Sequence, residues 1–79
     1  MKITVESTSK IVELLSAGAV HGVPARLWEG RTESGIPVHV FITRIAVAND
    51  RDTAQFEQEL LEVRAPSADV QAYPLRMVL

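Results

Sequence analysis

The sequence contains no cysteine, one tryptophan, one tyrosine and two phenylalanines. Without cysteine there is no disulfide and no thiolate metal site to staple the fold, so packing must hold the chain together, with a second copy as the remaining aid. Positive charge is also short: Lys and Arg number 8 against 10 Asp and Glu, a formal net charge of −2. Proteins that bind free nucleic acid draw most of their affinity from neutralising phosphates, and show a basic footprint. Its absence disfavours direct nucleic-acid binding through Arg26, Arg31, Arg44 and Arg76. No run approaches the roughly 18 apolar residues of a bilayer span. The start, Met1 to Glu6, lacks the apolar stretch of a secretory signal. The expectation is a cytoplasmic protein that does not enter a membrane.

What is present is apolar and β-branched. Of 79 residues 47% are hydrophobic, and fifteen of these are Val or Ile. Disorder needs low hydrophobicity and high net charge, so this chain is expected to fold, as one compact domain over residues 1–79. At about 0.05–0.15 kcal/mol per residue its whole stability is about 4–12 kcal/mol.

Along the chain, Ile3 and Val5 alternate with polar neighbours as in a short edge strand. Ser7, Thr8 and Ser9 offer N-cap hydroxyls, and Ile11, Val12, Leu14 and Leu15 cluster at helical spacing before Gly18, which predicts a helix over 8–17. His21 to Pro24 breaks the pattern. Ala25 to Thr32 reads as a strand, Glu33-Ser34-Gly35 as its turn, and Ile36 to Val47 as a second strand, together a β-hairpin. Ile36, Val38, Val40 and Ile42 share one face, with Pro37, His39 and Phe41 on the other. Pro37 cannot donate to a ladder and belongs at a strand start or facing an edge.

Asp52 with Gln55 resembles a capping box, and Phe56, Leu60 and Val63 form one helical stripe, predicting a helix over 53–64 that Pro66 ends. Pro66 to Asp69 is read as one further turn, and Leu75 to Leu79 as a strand pairing with the hairpin. The expected class is α+β: a small antiparallel sheet of three to four strands built on a central β-hairpin, with one or two helices packed on one face.

Residues for catalysis are hard to assemble. No nucleophile stands beside a base, and His21 and His39 make a poor zinc site without a third ligand. The four glycines do not form a phosphate-cradling loop. Cross-strand ion pairs with Arg26 and Arg31 account for Glu29 and Glu33. Neither an enzyme nor a cofactor or metal is expected.

Two features suit binding. Residues 49–64 hold Asp50, Asp52, Glu57, Glu59 and Glu62 against Arg51 and Arg64, a local charge of −3 that leaves +1 on the remainder. Such a segment steers towards a basic partner, or is simply a solvated helix face with acids near its positive end. The second feature is Trp28 with Arg26 and Arg31, residue types enriched at interface hot spots. Trp28 alternates with Leu27, so it is either the core's large aromatic anchor or an outward group that a partner or second subunit covers. Apolar strands with an open edge also favour a homodimer.

Val23 to Gly30, Ser34 to Val47, Arg64 to Ser67 and Pro74 to Leu79 together resemble small accessory proteins of bacteriophages, prophages and plasmids. That resemblance implies no catalytic residues. It implies a setting in which small acidic proteins inhibit bacterial defence, as anti-CRISPR proteins do, by stoichiometric binding to a host protein complex. The functional expectation is a non-enzymatic inhibitor that binds the basic nucleic-acid-handling surface of a CRISPR-Cas type complex. The alternative is a homodimeric structural or regulatory module of phage or plasmid physiology.

Overall fold

Every residue from Ile3 to Leu15 lies in one long strand, including the segment expected to be helical. The computed structural model describes residues 1–16, 18 and 21–78; Ala17, the end of the expected first helix, and Leu79, the end of the expected last strand, lie outside the described residues. In order, the elements are β1 (Ile3–Leu15), β2 (Val23–Thr32), β3 (Pro37–Ile42), a 3-10 turn (Asp50–Asp52), α1 (Thr53–Leu60), α2 (Ala68–Gln71) and β4 (Arg76–Val78). The sheet has four strands in the order β3-β2-β1-β4. β2 is antiparallel to both β1 and β3, whereas β4 runs parallel to β1, so the small α+β fold carries a mixed sheet.

The helix over 8–17 is therefore replaced by strand. Val12 is buried on one side of the sheet while Ile11, its neighbour, lines a cavity on the other. A strand wanted by both faces loses its alternation and its apolar residues bunch, which imitates a helical stripe. An irregularity adds to the effect. Ser7 pairs with Trp28 and Ile11 with Arg26, so residues 8–10 of β1 bulge opposite Leu27 alone. Thr8 fills the bulge, buried, its Oγ1 donating to the Leu27 carbonyl at 2.7 Å. Ser7 caps no helix; its Oγ donates to the Glu62 carbonyl at 2.8 Å.

The hairpin forms as its turn residues dictate. Gly35 N–H donates to the Thr32 carbonyl and Thr32 N–H to the Ile36 carbonyl, each at 2.9 Å, and Gly35 takes a φ of 91°, which glycine adopts without strain. β2 begins at Val23, two residues earlier than expected, and β3 ends at Ile42 rather than running to Val47. Residues Thr43–Val47 leave the sheet without regular structure. By the alternation of the ladder from Ile36, the backbone groups of Val38, Val40 and Ile42 face β2, and those of Pro37, His39 and Phe41 face the open edge. Pro37 thus sits where a missing N–H costs no ladder bond.

α1 stops at Leu60, short of the expected residue 64, and Asp52 makes no side-chain capping bond to it; Asn49 instead accepts from Arg51 N–H at the preceding 3-10 turn. α2 follows Pro66 as expected, with Ser67 as N-cap. The C-terminal strand pairs with β1 and not with the hairpin, through Glu13 with Arg76 and Leu14 with Met77. Beside it, Arg64 bridges the bulge: its N–H donates to the Ser7 carbonyl and its carbonyl accepts from Ser9 N–H. The outer edge of β1 is thereby partly paired, while among the described residues β3 has no strand beyond it.

The buried core is small: Val12, Ala25, Leu27 and Val70. Leu14, Phe41, Tyr73 and Met77 pack around it, with Phe41 and Tyr73 meeting edge to face at 5.2 Å. α2 contributes Val70, so this is the face that α2 covers.

Candidate functional site

Alternation along β2 separates two environments. Ala25, Leu27 and Glu29 point to the α2 side, and Arg26 and Trp28 to the other. Trp28 is thus half-buried outside the core, and Leu27 takes the place of the anchor, so of the two alternatives for Trp28 it is the one pointing away from the core that the structure shows. The reason is the register: Trp28 lies between Ser7 and Val40 in a cross-strand row, beside a second row of Ile11, Arg26 and Ile42.

Ser7 and Trp28 of the first row, with the whole of the second, floor a cavity of about 380 Å³. α1 stands over it with Phe56, Glu59 and Leu60, and the segment after β3 closes one side with Thr43, Arg44 and Ile45. Phe56 and Leu60 are one helical turn apart, which puts them on the same face of α1. The Arg26 guanidinium donates from Nη1 to the Thr8 carbonyl at 2.8 Å and has no carboxylate within ion-pair distance among the described residues.

Glu29, on the opposite face, pairs with neither Arg26 nor Arg31, which corrects the cross-strand ion pairs expected for it. It lies on the other side of the sheet from Arg26, and Arg31 instead donates to the Gly35 carbonyl at the hairpin turn. Glu29 is 7% exposed and accepts from Ser67 Oγ and, at 2.9 Å, from Ser67 N–H. Arg64 Nη2 approaches it at 3.6 Å, and Arg64 Nε also pairs with Glu6 at 3.2 Å. Chiefly the Ser67 hydroxyl, helped by the Ser67 N–H and the Arg64 and His39 charges, holds the Glu29 carboxyl below the usual glutamate range against the opposing effect of burial. Next to this cluster, His39 Nδ1 and the Tyr73 hydroxyl are in hydrogen-bond contact at 3.0 Å. One sequence signal could have found it: Glu29 falls on the inward alternation of Ala25 and Leu27, and an inward carboxylate needs partners.

Of the residues singled out from sequence, Arg26, Trp28 and Glu59 meet at the cavity. Arg31 does not join them. Asp50, Asp52, Glu57 and Glu62 are exposed on the 3-10 turn, α1 and the segment after it. No cation lies within ion-pair distance of these four or of Glu59 among the described residues, whereas Glu6, Glu13 and Glu29 are each held by an arginine. Among the described residues no group of three His, Cys, Asp or Glu is placed to hold a metal ion, and no helix is long and apolar enough to cross a membrane.

No family model, curated protein or solved structure matches the chain significantly.

Proposed function

We propose that this chain is a non-enzymatic binding protein whose acidic segment, Asp50 to Glu62, docks on a basic, nucleic-acid-handling protein surface and blocks it stoichiometrically. The observation that carries this reading is the surface of residues 57–63. There Glu57, Glu59 and Glu62, all without a cation partner among the described residues, are interleaved with exposed Leu60, Leu61 and Val63, of which Leu61 is 78% exposed. Solvated acids alone need no partner, but acids set among exposed aliphatics fit an interface with an apolar centre and a charged rim. The total surface supports it: 6103 Å² is accessible, against roughly 4,700 Å² expected of a monomer of this mass. The surplus exceeds the roughly 800 Å² that one partner contributes to a standard interface.

The resemblance to small phage, prophage and plasmid proteins favours a bacterial defence complex of the CRISPR-Cas type as the partner. The test is capture from a bacterial lysate on immobilised chain, with the triple reversal of Asp52, Glu57 and Glu62 to Lys as comparison. The expected result is that the unaltered chain retains a nucleic-acid-handling protein and the reversed one loses it. Equal retention by both, or retention of no such protein by either, overturns the reading.

The open edge of β3 favours a second reading, a homodimer paired through that edge with a structural or regulatory role. Light scattering over a range of concentrations decides it, and a one-chain mass throughout rejects it.

A further inference from the structure

We propose that the cavity between α1 and the Trp28 face binds a small apolar carboxylate, a hydrocarbon body of ring or short-chain size bearing one carboxylate. The cavity shares Glu59 and Leu60 with the proposed docking surface, but it lies between α1 and the sheet and does not rest on that reading. At about 380 Å³ the cavity falls near the lower end of the roughly 300–1,000 Å³ typical of ligand pockets, so the ligand is small. Its walls are under-filled. Ile11, Ile45 and Leu60 line it and yet remain 47%, 40% and 44% exposed. Each gains by covering, at roughly 25 cal/mol per Å² of apolar surface removed from water.

The polar groups select the other half of the ligand. Arg26 lies in the floor, half-buried between Ile11 and Ile42, with one N–H committed to the Thr8 carbonyl and no other protein partner among the described residues. A guanidinium has five N–H donors in a planar fork, whose geometry matches a carboxylate. Arg44 adds a second cation at the wall, also without an ion-pair partner among the described residues. Glu59 is the single carboxylate of the lining among the described residues, so these side chains give the cavity a net positive charge inside an acidic protein. A cation is repelled there, a neutral hydrocarbon leaves the Arg26 donors unmet, and an apolar acid satisfies both requirements.

Trp28, the chain's one tryptophan, lines the cavity and reports its occupancy directly. The experiment titrates the full chain with octanoate, octanol and octylamine, following Trp28 emission, and maps the octanoate site by amide chemical shifts. Octanoate should give a saturable change centred on Ile11, Ile42 and Phe56, with octylamine at least about tenfold weaker and octanol intermediate. Arg26→Gln or Arg44→Gln should weaken octanoate severalfold; Arg44→Gln leaves the Thr8 contact intact and serves if the Arg26 variant does not fold. The proposal is overturned by a non-saturable response, by octylamine binding as tightly as octanoate, by shifts centred elsewhere, or by unchanged affinity in every arginine variant that folds.

Discussion

Ser67 Oγ joins two elements at once: it donates to the buried carboxylate of Glu29 on β2 and accepts from Val70 N–H at the start of α2. A glutamate held below its ordinary pKa in the folded state takes up its proton less readily folded than unfolded. Its stabilisation is therefore complete above the unfolded-chain value of about 4.3, and drains away as pH falls through the lowered folded value. Glu29→Gln should be less stable than the unaltered chain at pH 7 and should lose stability less steeply below about pH 5. Urea midpoints from pH 7 to pH 3 check this; parallel curves for the two proteins would show that Glu29 contributes no such linkage.

The same hydroxyl predicts a coupling. Ser67→Ala removes an N-cap, which by itself costs about 0.5–2 kcal/mol, and also takes a donor from Glu29. Combined with Glu29→Gln, the loss should be smaller than the sum of the single losses, by about 0.5–3 kcal/mol. A double-mutant cycle in urea at pH 7 measures this, and strict additivity would mean that the cap and the carboxylate act separately.

How much of this was legible in the sequence follows the range of each interaction. The β2–β3 hairpin was readable because Gly35 and the Val/Ile run declare it within a few residues, and α2 because Pro66 and Ser67 precede it. The region around Phe56 and Leu60 was readable as helix, although its end was not, since Val63 continues the apolar stripe past the last helical residue. β1 mimics a helix in the sequence because Ile11 and Val12 serve opposite faces and the bulge at residues 8–10 resets the period. The pairing of β4 with β1 joins residues about sixty positions apart, beyond any local pattern. Glu29 illustrates the same limit at the level of a site: its arginine is not a near neighbour on the hairpin but Arg64, thirty-five residues on. The acidic segment and Arg26–Trp28 could be named, but that Glu59 joins the latter at one cavity depends on where α1 lies over the sheet.

Gly30 and Gly35 should respond differently to a side chain. A Cβ at Gly30 would stand 1.7 Å from the Thr4 carbonyl oxygen, so β1 and β2 would have to separate. At Gly35 nothing lies within 4 Å, and the cost is the left-handed backbone alone, about 1–2 kcal/mol for alanine and less for asparagine. Thermal unfolding should rank the variants Gly35→Asn, Gly35→Ala, Gly30→Ala from most to least stable. Gly30→Ala matching Gly35→Ala would show that the strands part easily.

Leu27 is fully buried against Val12, Ala25 and Val70. Truncating it to alanine should cost about 2–5 kcal/mol, a large share of the roughly 4–12 kcal/mol the chain has to spend. Leu61→Ala, at a site 78% exposed, should stay within about 0.5 kcal/mol in the free protein. Equal losses at the two sites, by urea denaturation, would mean that Leu61 is covered in solution.

α1 spans eight residues and buries none of them fully. An isolated helix shorter than about 12–15 residues is marginal in water, so α1 depends on what it leans against. Its only half-buried residue is Phe56, which lines the cavity over the Trp28 face together with Leu60. Phe56→Ala should therefore loosen α1 while leaving the core of Val12, Ala25, Leu27 and Val70 intact. Amide hydrogen exchange is the appropriate measurement, because local opening and global unfolding separate there. Amides at the end of α1 should exchange much faster in the variant, with those of β1 and β2 little changed. If all of them accelerate together, α1 and the sheet unfold as one unit, and Phe56 supports the whole fold.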